Sequence, residues 1–404
     1  MGIFDSLRGT PSKDRFAKML IQALHDAGDT RQIEYDAEEF RLLLSDDGDD
    51  AGFINLANFY AQFCQVPKEH RAACLSGIVR GCLSHLKGLP DEYEDARPDL
   101  RPRLWARAML EQMRLQSLIT DRDAPDLAYE FLGQHLAITL VYDLPESVRS
   151  LSREDLDAWQ VTPYEAMEVA RTNLAEDDFM IGKLGDSLYA SATGDSYDAT
   201  RVILLDVIRQ FEVKGEPIAM LPNRDYLLVT GSEDVDGMTM MLDLAEKVLQ
   251  EEPRPLSTLP IRLSGDEWLD WMPPHEHPCY ARLRLMEDRY LYEEYGTQKG
   301  LLDKIHETHG EDIFVASVMA LEKQGDMFTC AVWPADVLAL LPRTRLVALM
   351  QGPDSPPLMV AWEDLEAVVG DLLLPTNHYP PRFRVEQFPS ESQLETLRRR
   401  AVET

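Results

Sequence analysis

Basic residues are scarce in this sequence. Its 404 residues include 40 lysines and arginines against 71 aspartates and glutamates, which gives a formal net charge of −31. Nucleic acids and anionic lipid surfaces attract proteins mainly through lysine and arginine, so this composition weighs against both as partners. The charge favours instead a partner protein with a basic face.

Cysteines are few as well. The five cysteines are an odd number and contain no Cys-x-x-Cys pair, so neither a disulfide framework nor a zinc knuckle follows from their spacing. Buried, reduced thiols in a cytoplasmic protein are the simplest interpretation.

Long hydrophobic runs are also missing. No segment reaches the roughly 20 apolar residues of a membrane span, and the opening MGIFDSLRG lacks the apolar region of a signal peptide. We therefore expect no integral membrane association. Gly2 and Ser6 match the short N-myristoylation pattern, which has no meaning in a bacterial host. Packing of Ile3, Phe4 and Leu7 against the protein's own surface is the preferred alternative.

The common catalytic and nucleotide-binding motifs are absent from the sequence. It contains no Gly-x-Ser-x-Gly, P-loop, Gly-x-Gly-x-x-Gly or protein-kinase signature. We therefore favour a non-enzymatic protein-binding or adaptor module and expect no cofactor. The alternative is a hydrolase or metal-dependent enzyme whose site is assembled from residues dispersed along the chain.

Helix and strand patterns occur together along the chain. Residues 12–26 carry apolar side chains at the spacing of an amphipathic helix, and Thr162 to Glu165 form a capping box that starts a helix. The apolar run 136–144 is typical of a strand. These patterns predict an α+β fold with mixed or antiparallel sheets and flanking helices, in two or three domains. The predicted domains are 1–110, a helix-rich α+β region; 111–275, an α+β core; and 276–404, a C-terminal α+β domain, with an exposed linker near 272–279.

A charged tetrapeptide separates two short apolar runs in IAMLPNRDYLLV, residues 218–229. The runs are apolar at successive positions, which predicts strands that are covered on both faces. Pro222 fixes a turn dihedral and Asn223 tolerates the left-handed backbone region, so the turn of a hairpin explains the tetrapeptide. Rigid hairpins often present binding residues, which makes Asn223, Arg224 and Asp225 the candidate binding residues.

His275, His277 and Cys279 are the best candidates for metal ligands. On an extended strand alternate residues point to one face, where these three side chains would meet one ion. No fourth ligand is evident, and the prolines of PPHEHPC are typical of a linker. We therefore predict that no metal is bound.

Arg97, Arg101, Arg103 and Arg107 form a dense basic cluster. Arginine suits phosphate or carboxylate ligands. Five acidic residues at positions 91–99 offer nearby partners, however, so ion pairing is preferred over a ligand site.

Three segments contain four elements in a distinctive order: a strand, a capped helix that ends in Asn-Leu, a helix with Tyr-Asp-Ala-x-Arg, and a hairpin with Pro-x-x-Asp. Their sequences are LAITLVYDLPESVRSLSREDLDAWQVTPYEAMEVARTNL, GDSYDATRVILLD and KGEPIAMLPNRDYLLVTGSED. This arrangement resembles the YtpQ-like family of uncharacterised bacterial proteins, over about residues 12–275. The resemblance implies a bacterial cytoplasmic protein with an α+β fold, and it carries over no catalytic residues.

Overall fold

The structure is a computed structural model of the chain. It describes residues 11–46, 49–84, 88–120, 126–144, 147–191, 193–251, 255–323, 326–352 and 355–402. The expectations for residues 1–10, N-myristoylation included, lie outside these ranges. The predicted α+β fold is confirmed, because helices flank several antiparallel or mixed sheets.

The N-terminal module packs helices against a small antiparallel sheet. Its elements are α1 (Lys13–Asp26), β1 (Gln32–Asp36), β2 (Arg41–Asp46), β3 (Asp49–Asn55), α2 (Ala57–Gln65) and α3 (Arg71–Ser84). The predicted helix at 12–26 is confirmed, because the Ser12 hydroxyl caps α1 by accepting a hydrogen bond from the Arg15 backbone N–H at 3.3 Å. The apolar stripe of α1, with Phe16 and Leu20 fully buried, forms the centre of this module's core.

The central module contains two antiparallel sheets with helices around them. Its elements are α4 (Tyr93–Ala96), β4 (Leu100–Ala106), α5 (Arg107–Thr120), β5 (Tyr129–Leu132), β6 (Leu136–Leu144), β7 (Ser147–Ser150), α6 (Arg153–Ala158), α7 (Pro163–Glu176), β8 (Ile181–Leu184), β9 (Leu188–Ser191), α8 (Leu205–Ile208), β10 (Pro217–Met220), β11 (Leu227–Gly231), α9 (Val235–Glu251), β12 (Ile261–Ser264) and β13 (Glu267–Asp270). One sheet has the strand order β13-β12-β10-β11-β9-β8, and the other pairs β6 with β4, β5 and β7.

The main core of the central module draws on segments far apart in the chain. Leu100 and Leu104 of β4 pack in the same buried cluster as Leu140, Val229 and Trp268. Strand β4 therefore packs with the central module although it precedes residue 111. The division into domains at residues 110 and 275 stays a prediction.

The predicted hairpin at 218–229 is confirmed. Strands β10 and β11 pair antiparallel, with Ala219 opposite Val229 and Met220 opposite Leu228. Ala219 and Val229 face the main core, whereas Met220 and Leu228 face a second cluster formed with α9. The hairpin is thus buried on both faces, as the unbroken apolar runs predicted.

The C-terminal module is built around a long helix and two mixed sheets. Its elements are α10 (Tyr280–His309), β14 (Phe314–Val315), β15 (Val318–Lys323), β16 (Asp326–Pro334), β17 (Ala339–Pro342), β18 (Leu346–Met350), β19 (Leu358–Ala361), α11 (Trp362–Val369), β20 (Leu374–Pro375), β21 (Arg382–Val385) and α12 (Glu391–Arg398). One sheet has the order β14-β17-β21-β20 and the other β15-β16-β18-β19.

Helix α10 packs against the central module and against a sheet of its own module. Leu283 in its first turns lies in the cluster that holds Leu228, whereas Leu302 near its end packs with Leu115 of α5 and Leu340 of β17. Within the ranges that the structure describes, none of the helices combines the length and the apolar character needed to cross a membrane.

Candidate binding cleft

A cleft of about 1320 Å³ lies between the N-terminal and central modules. The N-terminal module contributes polar side chains from β3 and α2, among them Asn55, Asn58 and Gln62. The central module contributes charged and aromatic residues from four separate segments. These are Arg103 and Trp105 of β4, Tyr142 and Asp143 of β6, Asp195 to Tyr197, and Arg224.

Two arginines of the cleft lie over aromatic rings. The Arg103 guanidinium carbon is 5.9 Å from the centroid of the Tyr197 ring, and that of Arg224 is 5.1 Å from the centroid of the Trp105 ring. Arg103 is buried, and both arginines make further contacts in the structure. Cation–π attraction holds the four side chains in two stacked pairs along one wall.

The loop before Tyr197 is held by a buried carboxylate. Asp198 is fully buried and accepts hydrogen bonds from the backbone N–H groups of Thr193 at 2.9 Å and Gly194 at 2.7 Å, and also from the Ser191 hydroxyl. Bonds to a charged acceptor are the stronger kind, so they fix the backbone that carries Tyr197.

An ion pair between a buried arginine and a partly exposed aspartate completes this loop. Arg201 is fully buried and donates two hydrogen bonds to Asp195, at 3.0 and 2.5 Å. Ser196, which also lines the cleft, has a left-handed backbone conformation with φ of 67°. Such conformations are unfavourable for non-glycine residues and persist where the surroundings enforce them, often at functional sites.

Burial changes the ionisation of two groups in the cleft. It raises the pKa of Asp143 above its usual value, although nearby arginines and Tyr197 act in the opposite direction. Burial, reinforced by the Asp143 carboxylate, raises the pKa of Tyr197 well above the usual range of tyrosine. Tyr197 therefore stays a neutral phenol at every physiological pH.

The hairpin turn places Arg224 in the cleft and keeps Asn223 out of it. Asn223 is buried, and its side-chain oxygen accepts a hydrogen bond from the Asp225 backbone N–H at 2.9 Å. The Arg224 carbonyl accepts another from the Ala199 N–H at 3.1 Å. Asn223 does not adopt the left-handed conformation that the sequence allowed, and it acts through its side chain instead. Asp225 does not line the cleft.

We expect Asn223→Gly to lower the free energy of unfolding by about 1 kcal/mol, because the Asp225 N–H loses its acceptor in a part-buried turn. Asn223→Ala removes the same acceptor without the extra backbone freedom of glycine, and it serves as the comparison variant. Urea unfolding of the two variants and the wild-type chain measures the difference. An Asn223→Gly variant as stable as the wild type would show that the side-chain bond is unimportant.

The three candidate metal ligands do not lie on an extended strand. The segment forms turns that lead into α10, and the His277 ring nitrogen Nδ1 accepts a hydrogen bond from the Cys279 backbone N–H at 3.1 Å. Cys279 is buried, and the His275 ring packs on Tyr280. The described residues contain no group of three or more potential ligands placed to hold a metal ion. The assumption that all three side chains share one face was wrong.

The basic cluster at 97–107 is divided among different environments. Arg97 pairs with the nearby Glu94 at 3.4 Å, as predicted. Arg101 makes two hydrogen bonds, at 2.8 and 2.9 Å, to Asp177, which lies 76 residues further along the chain. Arg103 lines the cleft. Local ion pairing therefore explains only part of the cluster.

Sequence reasoning missed a second group of ionisable residues. The buried Glu111 of α5 accepts two hydrogen bonds from Arg114, at 2.8 and 2.9 Å, and contacts His378 Nδ1 at 2.8 Å. Only the Glu111–Arg114 spacing is visible in the sequence, as a pair on one helix face. His378 lies 267 residues further along the chain, so no linear motif joins it to Glu111.

Two curated proteins are similar to part of this chain. A UPF0354 protein of Listeria welshimeri is 27% identical over 135 residues, which cover 31% of this chain and 51% of the relative. A UPF0354 protein of Listeria innocua is 24% identical over the same length and the same shares. The chain spans about half the length of the curated relatives it matches. The similarity is to bacterial proteins of an uncharacterised family.

No protein-family profile matches the chain. No solved structure matches it either.

Proposed function

We propose that the protein is a non-enzymatic binding or adaptor protein of the bacterial cytoplasm, and that the cleft binds an extended segment of a partner protein. The size of the cleft is the observation that supports this most directly. Its volume of about 1320 Å³ exceeds the about 300–1,000 Å³ of ordinary small-molecule sites. An open cleft of this size accommodates several residues of a peptide.

The walls of the cleft suit a peptide chemically. The amides of Asn55, Asn58 and Gln62 both donate and accept hydrogen bonds, as an extended backbone requires. The indole N–H of Trp105 is buried and has no hydrogen-bond partner among the described residues. Since buried donors are normally satisfied, this group offers a place for a carbonyl of the bound segment.

The net charge of −31 supports a partner with a basic face around the segment that it inserts. The same charge disfavours nucleic acid, and we propose no integral membrane association. Salt screens exposed charges over a Debye length of about 8 Å at physiological strength, so association slows as salt rises.

We also propose that the chain belongs to the YtpQ-like family. The order of elements through the predicted hairpin and the partial similarity to the UPF0354 proteins support this relationship. A YtpQ-like relationship indicates no particular reaction, so the function of the cleft has to be tested by experiment.

A photo-crosslinking residue tests the proposed site in the host cell. Introduced at the exposed Asn58, on the rim of the cleft, it should capture a discrete partner. Introduced at the fully solvated Asp206, outside the cleft, it should not. Once the captured partner is identified and purified, its affinity for the Trp105→Ala variant should be at least about tenfold weaker than for the wild type, as expected of an interface hot spot.

The matched control is Arg209→Ala, which removes an exposed ion pair outside the cleft and should leave affinity unchanged. A partner that binds the Trp105→Ala variant and the wild type equally would contradict the proposal, as would failure of crosslinking at Asn58.

A further inference from the structure

A second pocket, of about 680 Å³, lies between the central and C-terminal modules. Helix α5, strand β5 and residues 376–379 line it, and we name it the Arg107 pocket. Its volume falls within the about 300–1,000 Å³ typical of small-molecule sites. It shares no lining residue with the cleft between the N-terminal and central modules.

Arg107 lies between two aromatic rings in this pocket. Its guanidinium carbon is 4.1 Å from the centroid of Phe131 and 4.5 Å from that of Tyr379. Its side chain donates one hydrogen bond, to the Gln134 carbonyl at 3.3 Å. Among the described residues no carboxylate oxygen lies within 4 Å of its guanidinium. In a protein this acidic, a half-buried arginine without a carboxylate partner points to an anionic ligand.

The other charges of the pocket are already compensated. Burial opposes ionisation of Glu111, but hydrogen bonds from His378 and Arg114 hold its pKa below the usual value. The Asp126 carboxylate is 76% exposed and lies 3.4 Å from Arg153. Arg107 therefore supplies the positive charge that a ligand in this pocket would meet.

His378 is oriented by Glu111. Its Nδ1 is 2.8 Å from a Glu111 oxygen and 3.2 Å from Arg114 Nη2. Because a ring nitrogen that donates to a carboxylate cannot also accept from arginine, the shorter contact assigns the hydrogen to Nδ1. Nε2 is then the ring nitrogen left to bind another group, and the imidazole is 17% exposed in the pocket.

Aromatic residues of β5 form an exposed wall. Tyr129 and Phe131 are 47% and 52% exposed, and their ring centroids are 5.2 Å apart. Exposed rings beside a cation provide a surface on which a planar group can stack. Tyr129 and Phe131 are therefore placed to hold the part of a ligand that does not carry the charge.

We propose that the Arg107 pocket binds a small molecule that joins a planar aromatic group to a carboxylate or a phosphate. Arg107 pairs with the anion, and Phe131 and Tyr129 stack on the ring. The pocket is separate from the cleft, so the outcome for this site does not decide the proposed function.

Binding of phenyl phosphate and benzoate to the full chain tests this site, with affinities measured by ligand-observed NMR and calorimetry. Both should bind, and benzamide, which has the ring without the charge, should bind at least about tenfold more weakly. Arg107→Gln should weaken phenyl phosphate at least about tenfold, whereas Arg107→Lys, which keeps the cation, should lose less.

A further variant distinguishes the contribution of the ligand's aromatic group to binding from that of its anionic group, and another serves as a control. Phe131→Ala should weaken phenyl phosphate without changing the affinity for inorganic phosphate. Arg171→Gln, which removes a partly exposed arginine paired with Glu130 outside the pocket, is the matched control and should change neither affinity.

Equal binding of phenyl phosphate to the Arg107→Gln variant and the wild type would overturn the proposal, as would the absence of binding by both probes. If inorganic phosphate binds as tightly as phenyl phosphate, the proposed stacking of an aromatic group on Phe131 and Tyr129 is wrong.

Discussion

Leu228→Asp is expected to leave the protein unfolded or aggregated. Leu228 has no exposed surface, and its side chain packs among Leu188, Met220 and Met241. An unpaired carboxylate in this cluster costs several kcal/mol. That cost is a large share of the free energy of unfolding of a typical domain, which is roughly 5–15 kcal/mol. Circular dichroism and the soluble fraction after expression measure the outcome.

The matched control is the same substitution at an exposed leucine of a strand in the same sheet. Leu184 of β8 is 44% exposed, so Leu184→Asp should remain folded and soluble. A soluble, cooperatively folding Leu228→Asp variant would refute the burial of the hairpin on both faces.

Arg201→Met is expected to destabilise the protein by about 3–5 kcal/mol, because it leaves the fully buried Asp198 and the partly exposed Asp195 without their counter-charge. Arg201 has no exposed surface, pairs with Asp195 through two hydrogen bonds, and lies 3.7 Å from the fully buried Asp198. The loop that carries Tyr197 would lose its support, so the cleft should be damaged as well. Urea unfolding measures the stability, and Arg209→Met, which removes an exposed ion pair, should cost less than about 1 kcal/mol.

The Arg201 variant should also change the response to acid. Burial opposes ionisation of Asp195, but its hydrogen bonds to Arg201 and to the Tyr197 backbone keep its pKa below the usual value. A lowered pKa contributes stability that is present above the unfolded value, about 3.9, and is lost as the pH falls towards the folded value. The wild-type chain should therefore lose this contribution below about pH 4, and Arg201→Met should lose less of it over the same range. Identical acid dependence and equal stability in the two proteins would rule out this role for Arg201.

Local chemistry made the hairpin and the capped helices predictable. Thr162 and Glu165 form the predicted capping box, in which the Glu165 N–H donates to the Thr162 hydroxyl and the Thr162 N–H donates to the Glu165 carboxylate. Both bonds join residues three apart, so the sequence alone contains the partners. The hairpin strands likewise join residues on either side of one short turn.

The cleft was less predictable, because its residues come from distant segments. Arg224 is visible as a polar residue in a turn, but its position beside Trp105 depends on packing of the hairpin against β4. Arg103 resembles its neighbour Arg101 in the sequence, yet Arg101 pairs with Asp177 and Arg103 lies over Tyr197. Long-range packing, which sequence patterns do not contain, separates the two arginines.

The metal hypothesis for His275, His277 and Cys279 depended on a backbone conformation that the chain does not adopt. Alternate residues share a face only in an extended segment. The prolines and the start of α10 impose turns instead, and Cys279 becomes the buried residue that precedes the helix.

Hydrogen–deuterium exchange of the protein with its captured partner tests most directly whether the cleft is the recognition site. We predict that binding slows exchange in the loop 193–198, in the turn 222–226 and in α2, which face one another across the cleft. Slower exchange confined to the C-terminal module, with these three segments unchanged, would contradict it.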